Sequence, residues 1–244
     1  MSTLPVLRPG SRDSLVAELR RLLNAKLRPS PSLPAIGSYD AAVTTAVRRF
    51  QQQHWLIVDG TVGPCTWNAL KDWETYVVEC SVRLVAQPTS NTCWAAAAAM
   101  VLGRASPVSA PPGVDTSNGL PNDSSLNDYP TVRRYAQHLG LRLEAPQSWT
   151  PLGLANLMRG GGPLLMHILW NAAGYTTRNP TGGGYIGSPG HFAVMSGIRG
   201  DGDPARTTVR IHDPWPVGRG AVYSVVYSGM MARVPTATYH LLHR

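Results

Sequence analysis

The segment QPTSNTCWAAAAAMVLG, residues 87–103, decides the fold of the chain. Its five consecutive alanines and the long apolar side chains after them are strong helix formers, so they predict a slim helix that begins near Cys93. Because the segment carries almost no polar side chains beyond its start, we expect this helix to be buried on most sides. Gly103 is a natural C-terminal stop for it.

Cys93 lies at the start of this predicted helix, directly after residues 90–92, whose types cap helices well. The positive end of a helix stabilises a thiolate, the nucleophilic form of cysteine. Cys93 is therefore a candidate nucleophile, although a cysteine on an alanine-rich helix also serves simply as a packing residue. Gln87, six residues upstream, can fold back over the helix start and share an oxyanion with the Cys93 N–H. The adjacent Trp94 is a candidate for binding substrate.

The base must come from elsewhere in the chain, and His191 differs from the other histidines. Turn-forming residues 187–190 precede it, and the apolar run 192–195 after it predicts a buried strand. Functional side chains are common at such strand ends. The remaining histidines are expected at the surface or the termini (His54, His240, His243), on a helix (His138), within a strand (His167), or beside Asp213 (His212).

The next predicted strand runs from about Thr207 to Ile211, and the residues His212-Asp213-Pro214 directly after it mark its end. Turn formers between the two strands predict a hairpin. The midpoint of His191 and Asp213 is (191 + 213)/2 = 202, so a turn at Gly202 would place the two side chains opposite each other. Asp213 would then orient His191 by a hydrogen bond, as in catalytic triads. The alternative is that Asp213 merely begins a strand-ending turn.

About residues 5–73 predict a small bundle of three helices. Leucines recur at helical spacing from Arg12 to Lys26, and apolar residues form one stripe from about Tyr39 to Gln53. A short third helix, after the turn-forming residues 59–64, carries Trp67.

The order of residues in this bundle resembles the peptidoglycan-binding domain found beside many cell-wall hydrolases. The residues that match its motif are Phe50-Gln51, Asp59, Gly60, Val62, Gly63, Thr66, Trp67 and Leu70. The resemblance implies that the bundle binds peptidoglycan. A proline-rich insert before Gly37 departs from the family pattern. It affects the ligand contacts expected of that loop and leaves the expected fold unchanged.

The order Gln87, Cys93-Trp94, His191 and Asp213 resembles the papain-like thiol peptidases, and most of all the bacterial double-glycine peptidases, whose third residue is Asp. The resemblance implies an α+β fold, in which a Cys-bearing helix packs on an antiparallel sheet behind the three-helix bundle. It implies a nucleophile at Cys93, a base at His191, an orienting carboxylate at Asp213 and an oxyanion donor at Gln87. We expect the domains to span residues 1–75 and 80–244.

These observations together predict a cysteine peptidase or amidase that cuts the stem peptides of peptidoglycan. Two alternatives stay open. One is a protease of protein substrates, with the bundle as a targeting or transport adaptor. The other is a binding protein on an inactive hydrolase fold.

Charge and motifs limit the classes of ligand that the chain is expected to bind. The formal net charge is +8, which attracts polyanions, but no basic run or basic helix with aromatics predicts binding of nucleic acid. No phosphate-binding loop and no zinc spacing is present, so we expect neither a cofactor nor a metal. Cys65 and Cys80 can either form a disulfide or stay reduced. Residues 105–130, 160–162 and 182–184 have the composition of loops.

The first twenty residues lack an apolar core of the signal-peptide kind, and no run of about 18 apolar residues predicts a membrane span. We therefore expect a chain made in the cytoplasm that acts in the periplasm or cell wall. One expected context is an antibacterial toxin, exported by contact-dependent (type VI) secretion and paired with an immunity protein. The other is an endolysin released by lysis.

Overall fold

The structure is a computed structural model that describes residues 4–109, 129–145, 147–168, 191–231 and 241–244. Its helices are α1 (Leu15–Lys26), α2 (Ala41–Gln53), α3 (Pro64–Leu70), α4 (Cys93–Leu102), α5 (Tyr129–Leu139), α6 (Pro151–Gly161) and α7 (Tyr227–Met231). Its strands are β1 (Tyr76–Glu79), β2 (Arg142–Leu143), β3 (Leu164–Ile168), β4 (His191–Gly200), β5 (Thr208–Asp213), β6 (Ala221–Val226) and β7 (Leu241–His243). Within these ranges no helix is long and apolar enough to cross a membrane.

Some predictions fall on other parts of the chain. The loops at residues 182–184 and 187–190, most of the loop at 105–130, and His240 lie outside the described residues.

Helices α1 to α3 enclose a core of their own, as the leucine spacing predicted. Leu19 and Phe50 are fully buried in it. Helix α2 begins two residues later than predicted because Asp40 caps it, accepting a hydrogen bond from the Val43 N–H at 2.9 Å.

A buried glutamine explains the Asp-Gly turn of this bundle. The Gln51 side chain donates to Asp59 Oδ1 (2.9 Å) and to the Thr61 carbonyl (2.8 Å), and it accepts from the Gly60 N–H (2.9 Å). Gly60 has a φ of +78°, and a Cβ there would lie 3.0 Å from the Arg48 side chain. Residues of the family motif therefore close the loop between α2 and α3.

The strands form an antiparallel sheet in the order β2-β7-β3-β4-β5-β6, and β1 pairs with β4. Strand β4 is buried along its whole length because helices cover both faces of the sheet. Phe192 and Val194 belong to the core under α4, whereas Ala193 and Met195 belong to the core under α6. This alternation is the two-residue period of a strand.

Helix α4 confirms the prediction made from its alanines. Ala95 to Ala99 are each at most 3% exposed, and they share a core with β4. Gly103 ends the helix in the left-handed conformation, with a φ of +70°. The chain is therefore α+β, with a Cys-bearing helix packed on an antiparallel sheet behind a helical bundle, as predicted.

The hairpin between β4 and β5 differs from the predicted register. Val194 pairs with His212, and continuing this register sets Asp213 opposite Ala193 rather than opposite His191. The offset is two residues, which keeps both side chains on one face of the sheet. They are therefore diagonal neighbours, and diagonal side chains are close enough to interact.

Two local predictions are wrong. Gly160 and Gly161 form the last turn of α6 instead of a loop, and a Cβ on Gly161 would lie 2.2 Å from the His243 ring. His243 is buried instead of exposed, and its Nε2 lies 2.9 Å from Glu144 Oε1. Both differences arise because β7 brings the end of the chain between β2 and β3.

Arg199, near the end of β4, joins the bundle to the sheet. Its guanidinium donates to both carboxylate oxygens of Glu74 (2.7 and 2.5 Å) and to the His54 carbonyl at the end of α2 (2.6 Å). The cation also lies 5.0 Å from the centroid of the Trp55 ring. The Arg199 and Glu74 side chains are only 6% and 9% exposed. The bundle and the sheet therefore share a specific, buried ion pair.

Arg199→Ala should lower the free energy of unfolding by about 3–5 kcal/mol, because it leaves the buried Glu74 carboxylate unpaired. The matched control is Arg210→Ala on the neighbouring strand. It breaks an ion pair with Glu79 whose side chains are 30% and 49% exposed, and such pairs contribute at most about 1 kcal/mol. Urea unfolding measures both variants. Equal losses would show that the Glu74 contact contributes no more than a surface ion pair.

Candidate active site

Helix α4 presents Cys93 at its first position. Thr92 is the N-cap, and its hydroxyl is hydrogen-bonded to the preceding turn, at 3.1 Å from the Thr89 N–H. The first N–H groups of a helix have no carbonyl partner within it, so they create a positive potential around the Cys93 sulfur. Cys93 is only half-buried, which leaves part of the residue open to solvent.

His191 contacts both Cys93 and Asp213. Its Nε2 lies 2.7 Å from Asp213 Oδ1, and its side chain also hydrogen-bonds the Cys93 side chain. Because Nε2 faces the carboxylate, Nδ1 is the ring nitrogen left for the thiol. His191 and Asp213 are 5% and 3% exposed. The order thiol, imidazole, carboxylate is the arrangement of a nucleophile, a base and an orienting acid.

The charge balance of this cluster favours a protonated imidazole. Burial alone would lower the pKa of His191, but the Asp213 carboxylate and the Cys93 side chain outweigh burial and raise this pKa to about 9. At neutral pH the cationic ring therefore lies against the thiol, where it stabilises a thiolate.

Gln87 lies beside the loop that follows β5. Its backbone N–H donates to the Pro214 carbonyl (3.0 Å), and its carbonyl accepts from the Gly218 N–H (2.9 Å). Its side-chain Nε2 donates to the Thr89 carbonyl (2.7 Å), which uses one of the two amide hydrogens. These contacts hold Gln87 next to Asp213 in space. The oxyanion role predicted for its second amide hydrogen stays a prediction.

Trp94 lies in the core, where it is 4% exposed. Its ring meets Tyr135 edge-on, with 5.9 Å between centroids, and the Tyr135 hydroxyl donates to the Trp94 carbonyl (2.8 Å). These contacts pack α4 against α5. A side chain so placed offers almost no surface to a ligand, which argues against the substrate-binding role predicted for Trp94.

Sequence reasoning missed two donors to Asp213. The Trp215 N–H donates to Oδ1 (2.9 Å), and the Tyr223 hydroxyl donates to Oδ2 (3.0 Å). The first is the short-range turn that an Asp favours two residues ahead of an N–H, and the Asp213-Pro214 sequence signals it. The second depends on the pairing of β5 with β6, for which no local signal exists.

A second histidine beside the site has a structural role. His212 Nδ1 lies 2.8 Å from the hydroxyl of Ser196, which is fully buried and so out of reach of substrate. Burial and the charge of Arg210 lower the pKa of His212 to about 4. Within the described part of the chain, no group of three or more ligating side chains suits a metal ion.

Comparisons with known proteins cover both halves of the chain. Residues 75–227 match the family described as "Papain-like cysteine protease AvrRpt2". Residues 12–70 match the family described as "Putative peptidoglycan binding domain". The resemblances to a peptidoglycan-binding domain and to the papain-like peptidases are therefore confirmed, while the likeness to the double-glycine peptidases stays a prediction.

Among solved structures, the chain is similar to a Burkholderia AP3 phage endolysin. The identity is 38% over 28% of this chain and 25% of the endolysin chain, with a TM-score of 0.25. The chain thus spans a quarter of that endolysin's length. No curated protein matches.

The two neighbouring histidines should titrate far apart. We expect the His191 ring to lose its proton near pH 9, and Asp213→Asn should move this midpoint to lower pH because it removes the charge that raises the pKa. His212 is the internal control, because it should stay neutral above about pH 5 in both proteins. NMR of the imidazole nuclei measures both midpoints. A His191 midpoint at or below its ordinary value of 6.5 in the parent chain would contradict the proposed charge balance.

Proposed function

The chain belongs to the family of papain-like cysteine proteases, and because it also carries a peptidoglycan-binding domain, we propose that it hydrolyses the stem peptides of bacterial peptidoglycan. The bond that it cuts is an amide, within the peptide or at its junction with the glycan. The protease domain supplies the chemistry, and the bundle holds the enzyme on its polymeric substrate.

One observation carries the proposal. The half-buried Cys93, at the positive end of α4, hydrogen-bonds a histidine that a buried carboxylate holds in place. A structural cysteine needs neither a charged partner nor access to solvent. Cys93 has both, and a 2.7 Å hydrogen bond joins its partner His191 to Asp213. The cluster follows, along the chain, a module that matches the peptidoglycan-binding domains.

In the proposed reaction the Cys93 thiolate attacks the carbonyl carbon of the amide. The tetrahedral oxyanion then collapses, the C–N bond breaks, and the His191 imidazolium gives its proton to the leaving amine. Neutral His191 next takes a proton from water, whose oxygen attacks the thioester and releases the acid. Asp213 keeps the His191 ring oriented through both steps.

The oxyanion needs donors in place before charge develops. We assign this role to the Cys93 N–H and to the second amide hydrogen of Gln87. Support comes from the Cys93 N–H, which as the first N–H of the helix has no carbonyl partner within it, and from the contacts that hold Gln87 beside the loop after Asp213.

Cys93→Ala should lower the release of new amino groups from purified sacculi by at least about a thousandfold, as loss of a nucleophile does in other hydrolases. His191→Ala should match it, and Cys80→Ala is the control that keeps activity. Iodoacetamide should label Cys93 fastest at neutral pH, because burial raises the pKa of the Cys65 and Cys80 thiols. Full activity of Cys93→Ala, or equal labelling of the three thiols, would exclude Cys93 as nucleophile.

A second candidate function is cleavage of a protein. The family matched by residues 75–227 is described as a protease, and this description favours a protein substrate. Parallel assays on sacculi and on unfolded casein, each with Cys93→Ala as the blank, separate the two. Release from casein alone would make protein the substrate and leave the bundle as a targeting module.

The inactive Cys93→Ala chain should bind sacculi and stay bound at 1 M salt. Its +8 charge attracts any polyanion, but this attraction is screened over about 3 Å at 1 M salt, compared with about 10 Å at 0.1 M. A shaped site keeps its hold at both concentrations. Sedimentation with sacculi measures binding, and anionic cellulose is the control that should release the protein in salt. Release of the protein from both polymers at 1 M salt would show that the bundle is held on the wall by charge alone.

The route to the wall stays a prediction from the sequence. Contact-dependent export requires a cognate immunity protein that protects the producer, whereas release by lysis does not. Toxicity of the periplasmically directed chain, and its relief by a neighbouring gene, distinguishes the two contexts.

A further inference from the structure

Asp213 is held from both neighbouring strands. Strand β5 lies between β4 and β6, and Asp213 ends it. His191 reaches Oδ1 from β4, and Tyr223 reaches Oδ2 from β6, at 2.7 and 3.0 Å. On β6 the direct partner of Asp213 is Ala221, so Tyr223 is a diagonal neighbour two residues away, as His191 is on β4.

The two carboxylate oxygens have different donors. Oδ1 accepts from the His191 ring and from the Trp215 N–H, while Oδ2 accepts from the Tyr223 hydroxyl. A carboxylate can rotate about its Cβ–Cγ bond, and a donor on the second oxygen fixes that rotation. At 3% exposure, Asp213 has almost no water to take the place of this donor.

The ring and the hydroxyl of Tyr223 make different interactions. The ring packs at the edge of the core under α6, with residues of β4 and β5. The hydroxyl donates to Asp213 Oδ2. A phenylalanine would keep the ring packing and lose the hydrogen bond, so the two contributions can be separated by one substitution.

We propose that Tyr223 is a positioning residue of the catalytic centre, whose hydroxyl fixes the plane of the Asp213 carboxylate so that Oδ1 meets His191. The inference rests on the proposed function, in which His191 moves the proton. Tyr223 does not touch the reacting atoms. It acts through Asp213 and then His191, and so extends the hydrogen-bonded series Cys93, His191, Asp213 by one positioning residue.

The test compares Tyr223→Phe with Tyr227→Phe in the full chain. Tyr227, at the start of α7, also donates its hydroxyl within the fold, to the Trp149 carbonyl. It directly follows Val226, which pairs with Thr208 at the other end of β5 from Asp213. Tyr223→Phe should lower kcat on solubilised muropeptides about tenfold, the effect of one hydrogen bond lost from a catalytic unit, and should leave KM within about twofold. Tyr227→Phe should keep the parent kcat.

Two further readouts separate positioning from simple stability. In an Asp213→Asn background, Tyr223→Phe should cause almost no further loss of kcat, because residues that act as one unit are not additive. The NMR signal of the His191 Nε2 proton, which Asp213 holds, should shift or broaden in Tyr223→Phe and stay unchanged in Tyr227→Phe.

The outcomes distinguish the two proposals. If Tyr223→Phe keeps the parent kcat and the parent His191 signal while Cys93→Ala is inactive, the positioning role is overturned and the proposed function stands. If Tyr223→Phe costs the same factor in the parent and in the Asp213→Asn chain, it acts outside the unit and the inference also fails. If Cys93→Ala is active, the proposed function fails, and the His191 signal alone then decides whether Tyr223 orders Asp213.

Discussion

The buried Asp213 carboxylate is the constraint around which the protease domain is arranged. A negative charge at 3% exposure is unfavourable unless hydrogen bonds replace the lost water. Among the residues that the structure describes, three donors do so: the His191 ring, the Trp215 N–H and the Tyr223 hydroxyl. They come from β4, from the loop after β5, and from β6, so these three pieces must meet at one point for the charge to be tolerated. The same contacts that satisfy the charge place an imidazole against Cys93.

Local signals were enough to predict the parts of this site one at a time. The alanine run predicted the buried helix and put Cys93 at its start, and turn formers before an apolar run put His191 at the head of a strand. Such features depend on neighbours within a few residues, where backbone propensity and burial act directly. The end of β5 at Asp213 was predicted for the same reason.

Pairing between strands was harder to predict. Next to the site, the pairing is offset by two residues from that of a symmetric hairpin centred on Gly202, and a bulge lies between Met195 and Gly197. A bulge adds a residue to one strand and carries no fixed sequence signal. The predicted contact between His191 and Asp213 still forms, because a shift of two residues keeps both side chains on the same face of the sheet. A shift of one residue would have turned Asp213 towards the opposite core. The contact of Tyr223 with Asp213 could not be predicted, because it depends on a second strand pairing, that of β5 with β6.

Strand β4 also connects the active site to the N-terminal bundle. His191 begins the strand, and Arg199 lies next to its end, where it binds Glu74 and the end of α2. His191 and Arg199 lie eight residues apart on the strand, about 26 Å at about 3.3 Å per residue, so this distance separates the catalytic base from the docking point of the bundle. Strand β1 starts at Tyr76, two residues after Glu74, and leaves almost no linker. A flexible tether would raise the local substrate concentration over a broad range of distances. A docked bundle instead favours bonds at one spacing from the polymer it holds, which suits a repeating substrate such as the cell wall better than an isolated peptide.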